Sequence, residues 1–173
     1  MKKVFFLLLI LVNALFAKTQ QTSVVKPCAS NTVYRFFDFW IGEWEAFRPD
    51  GKKAGDSKIE LILDSCVIFE NWTSTTQGYA GKSMNTYNAQ TGMWQQTWID
   101  NKGGMTEYVD SKWEKDKMIV TTRNEKQKDA TYKMMRMTFT KLNNDKVRQF
   151  GESSVNEGKT WKTDFDLEYR RKN

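Results

Sequence analysis

Residues 36–44, which read Phe-Phe-Asp-Phe-Trp-Ile-Gly-Glu-Trp, constrain the fold of this chain more than any other stretch. Five of these nine residues are aromatic, and a Gly-x-Trp step leads directly into the first run that alternates like a β-strand. A dense aromatic plug of this kind can seal one end of a small closed β-barrel. We therefore expect Trp40, Gly42 and Trp44 to be structural residues at that end.

The rest of the chain is predicted to form about ten consecutive antiparallel strands. Alternating runs are separated by turn residues every 8–12 positions or so, and no convincing helix follows Gly42. The expected strands are 43–48, 57–63, 66–73, 82–87, 93–99, 105–113, 118–123, 130–142, 146–153 and 160–170. The last run alternates most clearly, with Phe165, Leu167 and Tyr169 on one face and charged residues on the other, which indicates one buried and one wet face.

A meander of this length must hide its edge strands, and closure into a barrel removes them altogether. We therefore predict an all-β fold, an antiparallel up-and-down β-barrel of about eight to ten strands with a short N-terminal helical plug. A β-sandwich would show similar alternation and remains the alternative. The regular hairpin spacing and the absence of a long crossover favour the barrel.

Residues 1–17 have the pattern of a secretory signal peptide. Lys2 and Lys3 precede an unbroken apolar run over residues 4–12, and Ala17 supplies a small residue for cleavage. A membrane anchor is the alternative, but the run is shorter than the roughly 20 apolar residues that cross a bilayer. We expect an arm over residues 18–33, one barrel domain over residues 34–173, and a secreted or periplasmic protein.

Cys28 and Cys66 are the only two cysteines of the chain. An even pair in an oxidising compartment indicates a disulfide, which would tie the arm before the aromatic plug to a central strand. Two buried thiols are the alternative.

The composition argues against several classes of function. The chain has no histidine, so it lacks the residue needed for Ser-His-Asp catalysis and for the common zinc and haem sites. Without Lys2 and Lys3 the formal charge falls from +6 to +4, and the basic residues are scattered, so nucleic-acid binding is not expected. We predict no cofactor, no metal site, no catalytic residue and no integral membrane segment after cleavage, and we expect a monomer.

Residues 42–44, Gly-Glu-Trp, resemble the Gly-x-Trp signature of lipocalins and the wider calycin group. In that group the Trp closes the barrel floor and stacks under a basic side chain near the end of the last strand. The resemblance implies that Arg170 or Arg171 makes a cation–π contact with Trp44, and we assign the role to Arg170.

Several blocks of the mature chain carry a second resemblance. They are residues 37–44, Cys66 with residues 70–72, and residues 81–87, 94–100 and 147–149. Together they resemble a family of uncharacterised secreted bacterial proteins with a lipocalin-like domain. The resemblance implies a lipocalin-like barrel and export, and it implies no reaction.

Polar and aromatic residues that alternate onto strand faces are candidates for a ligand site. A barrel of this size can enclose one small ligand in a mostly apolar lining with a few placed polar groups. We predict a carrier-like protein that binds a small apolar or amphipathic molecule in the barrel mouth. The candidate ligand-binding residues are Glu70, Trp72, Asn85, Tyr87, Gln96, Trp98 and Arg148.

Two alternatives to this site stay open from the sequence. The chosen strand faces could point to solvent, or the barrel could be filled by polar groups that satisfy one another. In the second case the protein would be a non-catalytic structural or interaction protein. The internal volume of the barrel separates the carrier from the filled protein.

Overall fold

The computed structural model of the protein describes residues 26–172. The predicted signal peptide, residues 1–17, and residues 18–25 of the predicted arm lie outside the described residues. Between residues 26 and 172, no helix is long and apolar enough to cross a membrane.

Three short helical segments precede the sheet. They are α1 (Pro27–Ser30) and two 3-10 turns, Thr32–Arg35 and Asp38–Trp40. The side chain of Asn31 caps the first 3-10 turn, since its Oδ1 accepts a hydrogen bond from the backbone N–H of Val33 at 3.2 Å.

The strands follow in an almost unbroken series. They are β1 (Gly42–Phe47), β2 (Lys53–Ile62), β3 (Val67–Ser74), β4 (Ala80–Asn88), β5 (Met93–Asp100), β6 (Met105–Glu114), β7 (Lys117–Thr122), β8 (Glu125–Lys126), β9 (Tyr132–Asn143), β10 (Lys146–Ser154) and β11 (Lys162–Arg171). Their bounds lie within a few residues of the predicted ones, and the two-residue β8 is an addition that the sequence does not predict.

Ten of these strands form a closed antiparallel barrel. Strands β1 to β7 pair in chain order, β7 pairs with β9, and β9, β10 and β11 continue the series. The barrel closes where β11 pairs with β1, with Trp44 opposite Arg171 and Ala46 opposite Tyr169. Strand β8 pairs only with β9. The predicted all-β, lipocalin-like barrel is confirmed, and the two-sheet sandwich is excluded because the first and last strands are hydrogen-bonded to each other.

The aromatic plug fills one end of the barrel. The ring of Phe37 stacks on that of Trp40 at 5.1 Å between centroids and meets Trp94 and Phe139 edge-on. Trp40 and Trp44 are fully buried, and the Trp44 indole N–H donates to the backbone carbonyl of Trp40 at 2.9 Å. Burial of these large rings supplies much of the core, since each removes some 150–250 Å² from water.

A basic side chain stacks on Trp44 as predicted, but it belongs to Arg171 and not to Arg170. The guanidinium carbon of Arg171 lies 4.2 Å from the Trp44 ring centroid, and its Nη1 donates to the carbonyl of Ile41 at 3.2 Å. Gly42 has a φ of +140°, and a Cβ there would collide with this guanidinium. Arg170 lies over Phe47 instead, because neighbouring residues of a strand point to opposite faces. The assignment to Arg170 was therefore wrong by one residue.

The predicted disulfide between Cys28 and Cys66 is confirmed. It joins α1 to the turn immediately before β3, so it ties the plug covalently to the barrel wall. The other covalent connection of the plug is its direct continuation into β1.

Replacing Arg171 with alanine is expected to lower the free energy of unfolding by about 2 kcal/mol. This is the order expected when a cation–π contact and guanidinium hydrogen bonds to carbonyls are lost together. Arg170→Ala is the matched control and should lower it by about 1 kcal/mol or less, because its contacts with Phe47 and Glu168 are exposed to solvent. Urea unfolding of both variants checks this, and equal losses would contradict the closing role of Arg171.

Replacing both Cys28 and Cys66 with serine is expected to lower the free energy of unfolding by about 4 kcal/mol. The chain-entropy model gives this value for a crosslink between residues 38 positions apart. Differential scanning calorimetry should show a fall in Tm of about 10 °C. Adding a reductant to the wild-type protein should give a similar shift, and an unchanged Tm in both experiments would show that the crosslink does not hold the plug.

Candidate functional site

The barrel interior contains a cavity of about 300 Å³ on the side away from the plug. Its floor includes Tyr169, whose ring lies 6.1 Å from that of Trp40 in the plug. The residues lining it are Glu70, Trp72, Tyr79, Trp98, Thr106, Tyr108, Met135, Met137, Gln149, Phe165, Leu167 and Tyr169. Half of these twelve side chains are aromatic, so the walls are mainly apolar.

Three of the aromatic side chains lie against glycines on neighbouring strands. A Cβ on any of these glycines would collide with the ring that covers it. The pairs are Trp72 on Gly55, Trp98 on Gly81 and Phe165 on Gly151. Because the glycines have no side chain, the rings can lie against the barrel wall, which leaves the space between them open.

A buried carboxyl group, that of Glu70 on β3, reaches the inner end of the cavity. Glu70 is only 2% exposed. Its Oε1 accepts a hydrogen bond from Ser57 Oγ and its Oε2 accepts one from Ser83 Oγ, both at 2.9 Å. The Tyr169 hydroxyl lies 3.5 Å from Oε1 and donates more closely, at 2.7 Å, to Oε1 of Gln149.

A second layer of amides sets the direction of the Ser83 hydroxyl. Asn85 Nδ2 donates to Ser83 Oγ at 3.0 Å and to the carbonyl of Ile68 at 3.1 Å. Gln96 Nε2 donates to the same Oγ at 3.4 Å. Since this oxygen accepts from both amides, its own proton is directed to Glu70.

Burial raises the pKa of Glu70 from 4.5 to about 7, against the opposing effect of the hydrogen bonds from Ser57, Ser83 and Tyr169. Burial also raises the pKa of Tyr169 and of Tyr108, so both phenols are neutral at physiological pH. The Glu70 carboxyl is therefore the group of the cavity that changes charge near neutral pH.

Among residues 26–172, no lysine and no arginine line the cavity. Within the same range, the hydrogen-bond donors to Glu70 are all neutral hydroxyls. Across residues 26–172, no group of three or more cysteine, aspartate or glutamate residues is placed to hold a metal ion. The arrangement can hold a small molecule between aromatic walls and present one acidic group to it.

Five of the seven predicted ligand-binding residues lie in or next to this interior site. Glu70, Trp72 and Trp98 line the cavity. Asn85 and Gln96 are buried in the layer behind it, where they orient Ser83 and do not form the lining.

The other two predicted residues lie elsewhere. Tyr87 packs at the plug end, edge-on to Tyr34 with centroids 5.3 Å apart. Arg148 points to the outer surface, where Nε and Nη2 bind both carboxylate oxygens of Asp166 at 2.8 and 2.7 Å. On β10 the inward positions are those of the buried Val147 and Gln149, so Arg148 must face outward.

Several residues of the site were not among the predicted ones. Ser57, Ser83, Gln149 and Tyr169 complete the hydrogen-bond network around Glu70. Two of them had a usable signal: Ser83 alternates onto the same strand face as the predicted Asn85, and Tyr169 lies on the apolar face of the last strand. No sequence pattern indicates that Tyr169 meets Glu70 across 99 positions of the chain.

A larger depression of about 520 Å³ lies on the outside of the barrel, over β3 to β5. Phe69, Lys82, Met84 and Ile99 contribute to it, and their side chains point away from the interior. It contains no buried charged group, so it lacks the polar anchor of the interior cavity.

No protein-family model matches the chain, and no curated protein matches it.

The stability of the protein should depend on pH through Glu70. Because the folded carboxyl holds its proton up to about pH 7 and the unfolded one loses it near 4.5, this group stabilises the fold at low pH. That contribution should be lost as the pH rises from 4.5 to above 7, by about 3 kcal/mol. Glu70→Gln removes this titration. The free energy of unfolding of the variant, relative to that of the wild type, should therefore rise by about 3 kcal/mol as the pH rises from 4.5 to above 7.

Urea unfolding at several pH values between 4 and 8 measures the difference. Glu107→Gln, on the exposed outer face of β6, is the matched control, because it makes the same substitution outside the cavity. A Glu70→Gln curve parallel to the wild-type curve would show that Glu70 titrates as it does in the unfolded chain.

Proposed function

We propose that this protein is an exported, carrier-like barrel that binds a small, partly apolar molecule in the barrel mouth. The observation that carries the proposal is the interior cavity of about 300 Å³, with aromatic walls and one buried carboxyl. Ligand pockets in proteins combine a mostly apolar lining with a few placed polar groups in this way, and they begin at about this volume.

The volume limits the size of the ligand. At about 300 Å³ the cavity lies at the lower end of the range for small-molecule sites, so we expect a small ligand.

Two observations support export. The predicted signal peptide would direct the chain out of the cytoplasm, and the Cys28–Cys66 disulfide is of a kind that persists in oxidising compartments. The resemblance to secreted bacterial proteins with a lipocalin-like domain agrees with this proposal.

A second candidate function is an interaction protein that is recognised through its outer surface. Met84, Ile99 and Met105 are 47%, 52% and 62% exposed on the outside of β4 to β6, and Ile99 lies directly opposite Met105. Exposed apolar groups on one face favour a protein contact. The cavity itself does not argue for this function, so ligand binding inside the barrel separates the two.

Indole, a neutral aromatic molecule of suitable size, is expected to bind to the mature protein in isothermal titration calorimetry. Thr106→Trp should weaken this binding by at least about tenfold, because it puts a large ring into the lumen. Thr138→Trp makes the same change on the outer face of β9 and should leave the affinity within about twofold.

Native mass spectrometry of the purified protein should also show a bound small molecule that Thr106→Trp loses. Indole binding that is equal in both tryptophan variants would place the probe outside the cavity and contradict the proposal. No binding to the wild type in either measurement would favour the interaction protein.

A further inference from the structure

The charges of the interior do not balance. Glu70 is the only carboxyl group that lines the cavity, and none of the ion pairs formed within residues 26–172 includes it. The hydroxyls of Ser57 and Ser83 both direct protons to its two oxygens, which is the arrangement that favours the carboxylate form. A buried carboxylate normally has a cationic partner, because transfer of an unpaired charge out of water is unfavourable.

We propose that the cavity binds a small organic ammonium ion, a primary amine in its cationic form with an aromatic or aliphatic body. This assignment rests on the proposed function and names the chemical class of its ligand. The ammonium group supplies the positive charge that the lining lacks, and Glu70 accepts its hydrogen bond.

The aromatic walls suit a cation better than a neutral or negative group. Trp72, Trp98 and Phe165 lie against glycines of the wall and also line the cavity, so a bound ligand would contact their rings. The face of an aromatic ring carries negative potential and attracts ammonium groups, most strongly when water is excluded. The same faces also pack against the apolar body of the ligand.

The titratable groups around Glu70 also favour a positively charged ligand. From β11 the neutral hydroxyl of Tyr169 faces it, and the neighbouring strands β2 and β4 contribute only Ser57 and Ser83. Farther out, the Tyr79 hydroxyl donates to Asp100 at 3.3 Å. The negative charge of Asp164 adds to the effect of burial in raising the pKa of Tyr108. Lys102 lies near Asp100, so the rim carries both signs while the interior carries only the acid.

The protonation of Glu70 should couple to ligand binding. Burial raises the pKa of Glu70 to about 7, so the empty cavity exchanges a proton near neutral pH. An ammonium ion favours the carboxylate, and an alkylamine keeps its own proton to above pH 9 or so, as lysine does. The affinity for an amine should therefore rise by about tenfold from pH 6 to pH 8 as Glu70 ionises.

The test compares three probes of nearly the same shape by calorimetry at pH 8: 2-phenylethylammonium, 2-phenylethanol and 3-phenylpropanoate. The ammonium should bind at least about tenfold more tightly than the alcohol, since a hydrogen bond between charged groups and cation–π contacts are added. The propanoate should not bind measurably. The affinity for the ammonium, and not that for the alcohol, should fall by about tenfold at pH 6.

Glu70→Gln should reduce the affinity for the ammonium by at least about tenfold and change that for the alcohol by less than about twofold. Unchanged alcohol binding also shows that the variant is folded with its cavity intact. Glu107→Gln, with its carboxyl on the outer face, should bind all three probes like the wild type.

The outcomes separate this assignment from the proposed function. If the alcohol or the propanoate binds as tightly as the ammonium, or if binding does not change between pH 6 and 8, the ammonium assignment is overturned and the small-molecule carrier stands. If none of the three probes binds and indole does not bind either, both proposals fail. The probe series and the pH series use only the wild-type protein, so they decide the question even if Glu70→Gln does not fold.

Discussion

The pairing of β11 with β1 is the constraint on which the rest of the structure depends. It closes the barrel, and it puts Arg171 over Trp44 on the plug side. Two residues earlier on β11, Tyr169 reaches both Gln149 and Glu70. If the barrel were open at this seam, the plug would lose its cover and the Glu70 carboxyl would meet water, so its burial, its raised pKa and the enclosed cavity all follow from one strand pairing.

Aromatic side chains fill the lumen at one end of the barrel and line an open cavity at the other. At the plug end, Phe37, Trp40 and Phe139 point into the lumen and pack on one another, so they fill it. At the other end, Trp72 and Trp98 turn against glycines of the wall and leave the lumen open. The same residue class therefore gives a solid core at one end and a cavity at the other, and small wall residues make the difference.

Arg148 and Arg170 are two of the residues that the sequence placed wrongly, and both fail for the same reason. Side chains of a strand alternate between two faces, so an error of one position puts a residue on the wrong side of the wall. Arg148 was chosen as a charged ligand-binding group, but its neighbour Gln149 is the inward residue. The interior excludes a basic side chain, whereas outside Arg148 can pair with Asp166 in water. Glu70, Trp72 and Trp98 line the cavity because each alternates with outward residues of its own strand.

The sequence by itself determined the strand positions, the aromatic plug, the cysteine pair and the closed meander, because these depend on local patterns of turn residues and on alternation with period two. Only the tertiary structure decided which inward residues meet. Register across the seam brings Tyr169 to Glu70, and glycines opposite the rings keep the cavity open. Such contacts join residues from distant parts of the chain, so no local pattern encodes them, and the charge of a buried carboxyl is set by what surrounds it in space.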